Sequence, residues 1–224
     1  MLGNVFILGD SYSTYKGYLP EKLNWYYSDD GPNYAKKNPQ IASAQNDVCD
    51  VAETWWFNLV NENGKLLRNC SWSGTTICNT GYEGKDYSDC SFITRIENLL
   101  KKGYFNENKV DTILLFGGTN DSWSDAPLGD EIVSSWTKED LYYVFPAFSY
   151  LIDLLVKNVP EAKIYCIIND ELKNQIKDFY KFICQKYNVE FIELNNIDKV
   201  EGHPTKKGMK EIYRQVLDYI KNDK

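Results

Sequence analysis

Short apolar, β-branched runs alternate along this chain with longer stretches whose apolar residues recur at helical spacing. Five runs predict strands: Val5–Leu8, Leu66–Cys70, Val110–Phe116, Lys163–Ile168 and Val189–Leu194. The third reads Val-Asp-Thr-Ile-Leu-Leu-Phe and stops at Gly117-Gly118, and the fourth contains Ile-Tyr-Cys-Ile-Ile. Near-continuous apolar runs of this length suit parallel strands buried on both faces. Between them the spacing predicts helices over Val51–Glu62, Phe92–Lys102, Lys138–Lys157, Asp170–Tyr187 and Thr205–Lys221. The apolar stripe Tyr150, Leu151, Ile152, Leu154 and Leu155 belongs to a core-facing helix. Strand–helix alternation with right-handed crossovers predicts a three-layer α/β/α sandwich.

Two stretches break the rhythm. Residues 12–50 separate the first strand from its helix, far beyond the two to six residues usual for such a loop. Residues 119–137, which contain Trp123, Pro127, Gly129 and Trp136, form a second long loop after the third strand. Open α/β sheets bind ligands outside the carboxyl ends of their strands, and both loops start there. No internal repeat, low-complexity tract or linker divides the 224 residues, so the chain reads as one domain over 1–224 with an aromatic-rich insertion at about 12–50.

Charge and composition narrow the partners. The 25 Lys and Arg against 32 Asp and Glu give a formal charge of −7 with no basic stripe, which argues against nucleic acid. No run of 18 apolar residues suggests a membrane span. The N-terminus has no basic region and no small-residue cleavage site, so a cytoplasmic protein is expected. Six cysteines form no C-x-x-C pair and read as reduced thiols; with a single histidine, no metal site is assembled by spacing. Any step that needs an imidazole must use His203.

Four segments fall at predicted strand ends. Gly9-Asp10-Ser11 follows the first strand and can present a hydroxyl to a cleft, although the tripeptide is also an ordinary turn and G-x-S-x-G is absent, since Ser13 replaces the second glycine. Asn69-Cys70-Ser71-Trp72-Ser73-Gly74 follows the second; Gly74 can offer an unobstructed backbone N–H, or be a plain loop glycine. Gly118-Thr119-Asn120-Asp121 follows the third, where Asn120 can donate its amide or close an Asx-turn. Gly202-His203-Pro204 precedes the last helix. Together these supply what acyl transfer requires: a nucleophile, oxyanion donors and a base.

In this order, the blocks resemble those of the SGNH hydrolase superfamily, the GDSL-type esterases and lipases. The resemblance spans the chain and implies a flavodoxin-like sandwich with a five-stranded parallel sheet, order 2-1-3-4-5, and a serine hydrolase of acyl esters without metal or cofactor. It implies Ser11 as nucleophile, His203 as base, and Gly74 and Asn120 as oxyanion donors with the Ser11 amide. The Tyr-rich segment after Ser11 and Glu53-Thr54-Trp55-Trp56 resemble a bacterial subgroup. One position departs from the pattern. The triad aspartate of the family stands three residues before the histidine, where this chain has Val200. Asp198 is the favoured substitute because it lies farther along the turn; Glu201 and a Ser–His dyad oriented by a backbone carbonyl are the alternatives.

Tyr12, Tyr15, Tyr18, Trp25, Tyr26, Tyr27 and Tyr34 place seven aromatics within 23 residues, among Ser28, Asp29, Asp30 and Asn33. Such a segment can stack on sugars, which favours short acyl or carbohydrate O-acyl esters with Tyr12, Trp25 and Tyr27 as substrate contacts; it can equally pack the insertion against the body. A nucleotide or flavin binder would need a phosphate loop after the first strand, and neither G-x-G-x-x-G nor Walker A is present. A non-catalytic carbohydrate-binding module is the other alternative, motivated by the aromatic insertion and Val200.

Overall fold

The structure, a computed structural model, describes residues 1–20, 22–31 and 46–222. Strands β1 (Gly3–Gly9), β2 (Gly64–Asn69), β3 (Thr112–Phe116), β4 (Lys163–Ile168) and β5 (Glu190–Glu193) form an all-parallel sheet in the order 2-1-3-4-5. Helices α1 (Trp55–Asn63), α2 (Phe92–Lys101), α3 (Tyr104–Glu107), α4 (Thr119–Trp123), α5 (Val144–Asn158), α6 (Asn174–Lys186) and α7 (Lys206–Asn222) connect and follow them.

Successive side chains of a strand point to opposite faces, and that alternation divides the core. Phe6 and Leu8 of β1, Ile113 and Leu115 of β3, and Cys166 and Ile168 of β4 face one side, under α2, α5 and α6. Val5, Ile7, Leu114, Phe116, Tyr165 and Ile167 face the other, under α1 and α7. Trp55 and Trp56 of α1 are both fully buried in this second core with Met209, Ile212 and Val216 of α7. Each large buried side chain contributes roughly 1.5–3 kcal/mol by leaving water. Sheet register aligns the carboxyl ends: Gly9 lies opposite Phe116, and Phe116 opposite Ile167. Whatever follows those residues shares one edge.

Several features differ from the sequence expectation, these three among them. The helix expected over Lys138–Lys157 begins at Val144, after a 3-10 turn at Asp140–Tyr142. Its first N–H groups go to loop carbonyls instead, Val144 to Pro127 and Phe145 to Leu128, both at 2.9 Å. Pro146 is tolerated there because first-turn N–H groups have no partner within the helix. The expected loop at 119–137 opens with α4, all but one of whose residues are buried. Between β5 and α7 stands a hairpin, β6 (Lys199–Val200) paired antiparallel with β7 (His203–Pro204). No helix among the described residues is long and apolar enough to cross a membrane.

Candidate active site

Ser11 opens a 3-10 turn at the end of β1, capped by Asp10, whose Oδ1 accepts from the Tyr12 N–H at 3.1 Å. Its Oγ lies 3.0 Å from His203 Nε2. The other ring nitrogen, Nδ1, lies 3.2 Å from the Glu201 carbonyl oxygen. A carbonyl only accepts, so Nδ1 carries the proton and Nε2 turns its lone pair to the serine hydroxyl. That is the geometry in which an imidazole draws a proton from a hydroxyl.

The hairpin explains how Glu201 reaches back. Glu201 and Gly202 both have positive φ, +49° and +74°, the pair of conformations a tight two-residue hairpin turn requires. Gly202 also admits no side chain: a Cβ there would stand 2.7 Å from the Trp123 ring. Several bonds pin the hairpin. The Tyr12 hydroxyl donates to the Gly202 carbonyl, while the Tyr27 hydroxyl (2.9 Å) and the Asn46 amide (3.1 Å) donate to that of Pro204. Buried Lys199 donates to Asn169 Oδ1 at 3.0 Å and pairs with Asp170 and Glu171.

Rings enclose the imidazole. Tyr26 stacks on it at 3.7 Å and 4°, and Trp123 meets it edge-on at 5.6 Å. Removal from water pushes the His203 pKa down to about 4, with the Glu201 carbonyl opposing the shift. The ring is therefore neutral and able to accept a proton at ordinary pH.

Facing this pair are Gly74 and Asn120. Gly74 has φ +83°, left-handed backbone that an L side chain resists even though space is open around it. Asn120, in α4, is held twice. Its Nδ2 donates to the Thr75 carbonyl at 2.9 Å, and its Oδ1 accepts from the Tyr82 hydroxyl at 2.8 Å. The Thr75 contact fixes which end of the amide is nitrogen and leaves the second N–H available. Ser11, Tyr26, Ser73, Gly74, Tyr82, Asn120, Trp123, Glu201 and His203 line one cleft of about 510 Å³.

Beneath the cleft lies a buried charge cluster. The Arg95 guanidinium of α2 donates to the carbonyls of Gly9 (3.1 Å) and Cys70 and to Thr75 Oγ1 (3.1 Å), joining the ends of β1 and β2. Asp121 accepts from the N–H groups of Ile77 (2.9 Å) and Cys78 (3.0 Å). Burial raises Asp10 to about 7.

Sequence reasoning placed Ser11, Gly74, Asn120 and His203 at one edge, and the structure gathers all four around the cleft. It places Asp198 elsewhere. That carboxylate accepts from Thr205 Oγ1 and lies 3.8 Å from Lys207 Nζ, while its N–H donates to Glu211 at 2.8 Å. Asp198 supports the start of α7, where Thr205 caps the Gly208 N–H at 3.2 Å. It does not serve His203, because the hairpin turn brings a backbone carbonyl to Nδ1 first.

Two of the expected substrate contacts turn inward. Tyr12 and Tyr27 are fully buried, with hydroxyls committed to hairpin carbonyls, and Trp25 lies outside the cleft lining with Lys16 Nζ 5.5 Å from its ring centroid. Among the described residues of that segment, Tyr26 lies at the cleft. Tyr34 and Asn33 lie outside the described residues. Sequence reasoning missed Tyr82, Trp123, Lys199 and Arg95. Arg95 left a trace, since it falls on the apolar face of its helix with Phe92, Ile96 and Leu99. No group of three His, Cys, Asp or Glu among the described residues could hold a metal, and all six cysteines are free thiols.

Comparison with known proteins gives this arrangement a class. The family model for GDSL-like lipase/acylhydrolase matches residues 3–220, and the chain belongs to that family of ester-bond hydrolases. It is similar to the crystal structure of a candidate GDSL-like lipase from Bacteroides ovatus ATCC 8483, at 42% identity and TM-score 0.86, covering 99% of each chain. A second, from Bacteroides uniformis ATCC 8492, is 44% identical with TM-score 0.86, covering 98% of this chain and 96% of that one. An acetyl xylan esterase, Est2A, from the rumen bacterium Butyrivibrio proteoclasticus shares the fold at 16% identity and TM-score 0.60, covering 99% of this chain and 64% of that one. No match was found among curated proteins.

Proposed function

We propose that the protein is a serine esterase working through a Ser11–His203 dyad, with the Glu201 carbonyl in the place a carboxylate takes in a triad. The observation that carries this reading is the chain of contacts from Ser11 Oγ to His203 Nε2 (3.0 Å) and from His203 Nδ1 to Glu201 O (3.2 Å), opposite Asn120. His203 takes the hydroxyl proton as Ser11 Oγ attacks the acyl carbonyl. The tetrahedral oxyanion is held by the Ser11 and Gly74 amides and the free N–H of Asn120; one such donor is worth roughly 2.7–4 kcal/mol. His203 gives the proton to the departing alcohol, then draws one from water, which releases the acid and restores Ser11. Among the described residues the partner on Nδ1 is a neutral carbonyl dipole and not a carboxylate, which favours prompt return of the proton.

For the substrate, we infer a short acyl ester of a sugar or another small alcohol. The cleft of about 510 Å³ presents the rings of Tyr26, Tyr82 and Trp123 with polar groups from Ser73 and Glu201 among them. Flat rings with interspersed hydrogen-bonding groups suit a sugar face, and that volume is modest for a ligand site. A fluorophosphonate probe tests the chemistry: labelling should map to Ser11 by mass spectrometry and vanish in Ser11→Ala. A panel of p-nitrophenyl esters should show rates falling as the acyl chain lengthens. A purified protein that neither labels nor hydrolyses any ester of the panel would refute the reading.

A further inference from the structure

We propose that Tyr82 is a positioning residue for the oxyanion side, acting through Asn120; the inference rests on the esterase reading and extends it. Tyr82 comes from a loop that the sequence marked for nothing. A small closed turn presents it: Thr80 bridges Asp86, the Gly81 N–H bonds the Lys85 carbonyl at 2.8 Å, and Glu83 and Gly84 adopt positive φ of +60° and +70°. Thr80 Oγ1 donates to the Tyr142 carbonyl at 2.7 Å, and the Asn79 N–H to that of Leu141 at 2.8 Å, tying the turn to the chain ahead of α5. The phenol therefore arrives from a braced loop, with its hydroxyl on Asn120 Oδ1 at 2.8 Å.

Two consequences follow for the amide. First, Asn120 is clamped at both ends, by Tyr82 on oxygen and by the Thr75 carbonyl on nitrogen, so its plane cannot rotate and its second N–H keeps one direction. Second, a donor on Oδ1 draws electron density from the amide nitrogen, and the remaining N–H becomes a stronger donor; hydrogen bonds in a chain polarise one another in this way. Both effects grow in value as negative charge develops on the substrate oxygen, so they bear on the transition state and little on ground-state binding. Thr75 ties the clamp to the buried cation, since its Oγ1 accepts from Arg95 while its carbonyl holds Asn120.

Tyr82→Phe keeps the ring in the cleft and removes only the donor. On p-nitrophenyl acetate it should lower kcat about five- to twentyfold with KM within about twofold, as loss of a transition-state interaction does. In an Asn120→Ala background the same change should cost less than about twofold, because the group it acts through is gone. An equal loss in both backgrounds, or a rise in KM at unchanged kcat, overturns the proposal. A readout without turnover separates it from the esterase reading: the side-chain NH2 resonances of Asn120 should shift and exchange faster in Tyr82→Phe. If the wild type proves inert on every ester yet those resonances move, the clamp stands and the esterase reading falls. Unchanged resonances sink the clamp whatever the activity.

Discussion

The two walls of the cleft are held by different physics. On the oxyanion side Asn120 sits in a lattice of directed hydrogen bonds: Tyr82 on its oxygen, Thr75 on its nitrogen, and Arg95 behind Thr75. On the base side His203 has one hydrogen bond to a backbone carbonyl and one contact with the Ser11 hydroxyl it serves, and its plane is otherwise set by Tyr26 lying flat against it and Trp123 at its edge. The difference matches the tasks. An oxyanion donor must point at one place throughout the reaction, which directional bonds ensure. A base must gain and lose a proton, and a ring held by stacking can do so without a partner that must itself be re-bonded. Stacking also keeps water away, which keeps the resting ring neutral.

That contrast can be broken in graded steps. Ser11→Ala removes the atom both walls serve; ester hydrolysis should fall by about 10⁴-fold or more, with circular dichroism and melting temperature near wild type. Asn120→Ala should lower kcat about 10²- to 10³-fold with KM little changed, and a pure KM effect would instead make it a ground-state contact.

Tyr26→Leu attacks the other wall. His203 must be neutral to act, so kcat/KM of the wild type should hold down to acidic pH and fall only near its pKa of about 4. Without the stacked ring, water reaches the imidazole, its pKa moves toward the ordinary value near 6.5, and the acid limb of the profile should shift to higher pH. A profile that stays in place would remove stacking from the account. The same depressed pKa makes the folded protein bind fewer protons than the unfolded chain between about pH 4 and 6.5. Stability from this group is therefore complete above about 6.5 and declines as pH falls through about 4, which urea titrations at several pH values would follow.

The smallest effects concern the carboxylates near His203. Asp198→Asn should leave kcat within about threefold of wild type, since its side chain serves Thr205 and α7; Glu201→Gln should cost less than about tenfold, because the carbonyl remains. A drop near 10⁴-fold in Asp198→Asn, the scale of a lost triad acid, would overturn the dyad.

The sheet was readable from the sequence because Val-Asp-Thr-Ile-Leu-Leu-Phe and its counterparts are long enough to show their period, and the residues of chemistry follow strand ends at short distances. The orienting contact was not readable. Lys199–Pro204 has two residues per strand, too few to display alternation, and its Glu201-Gly202 turn lacks the Asn-Gly or Asp-Gly pair that announces such a geometry. Nor does adjacency reveal facing. Tyr26 and Tyr27 are neighbours at a bend with ring centroids 4.8 Å apart, yet one lies flat against His203 while the other is fully buried with its hydroxyl on the Pro204 carbonyl. Tyr82 and Lys199 act only through distant partners that the fold supplies.

The carbonyl of Glu201 has a consequence for inheritance. A triad carboxylate can be erased by a single codon change, whereas every amino acid brings a main-chain carbonyl, so the group that orients His203 cannot be deleted by any replacement of Glu201. The genetic fragility moves one residue on. At Gly202, with φ of +74° and the Trp123 ring 2.7 Å from where a Cβ would stand, even alanine must displace the turn or the indole, and either movement carries the imidazole with it.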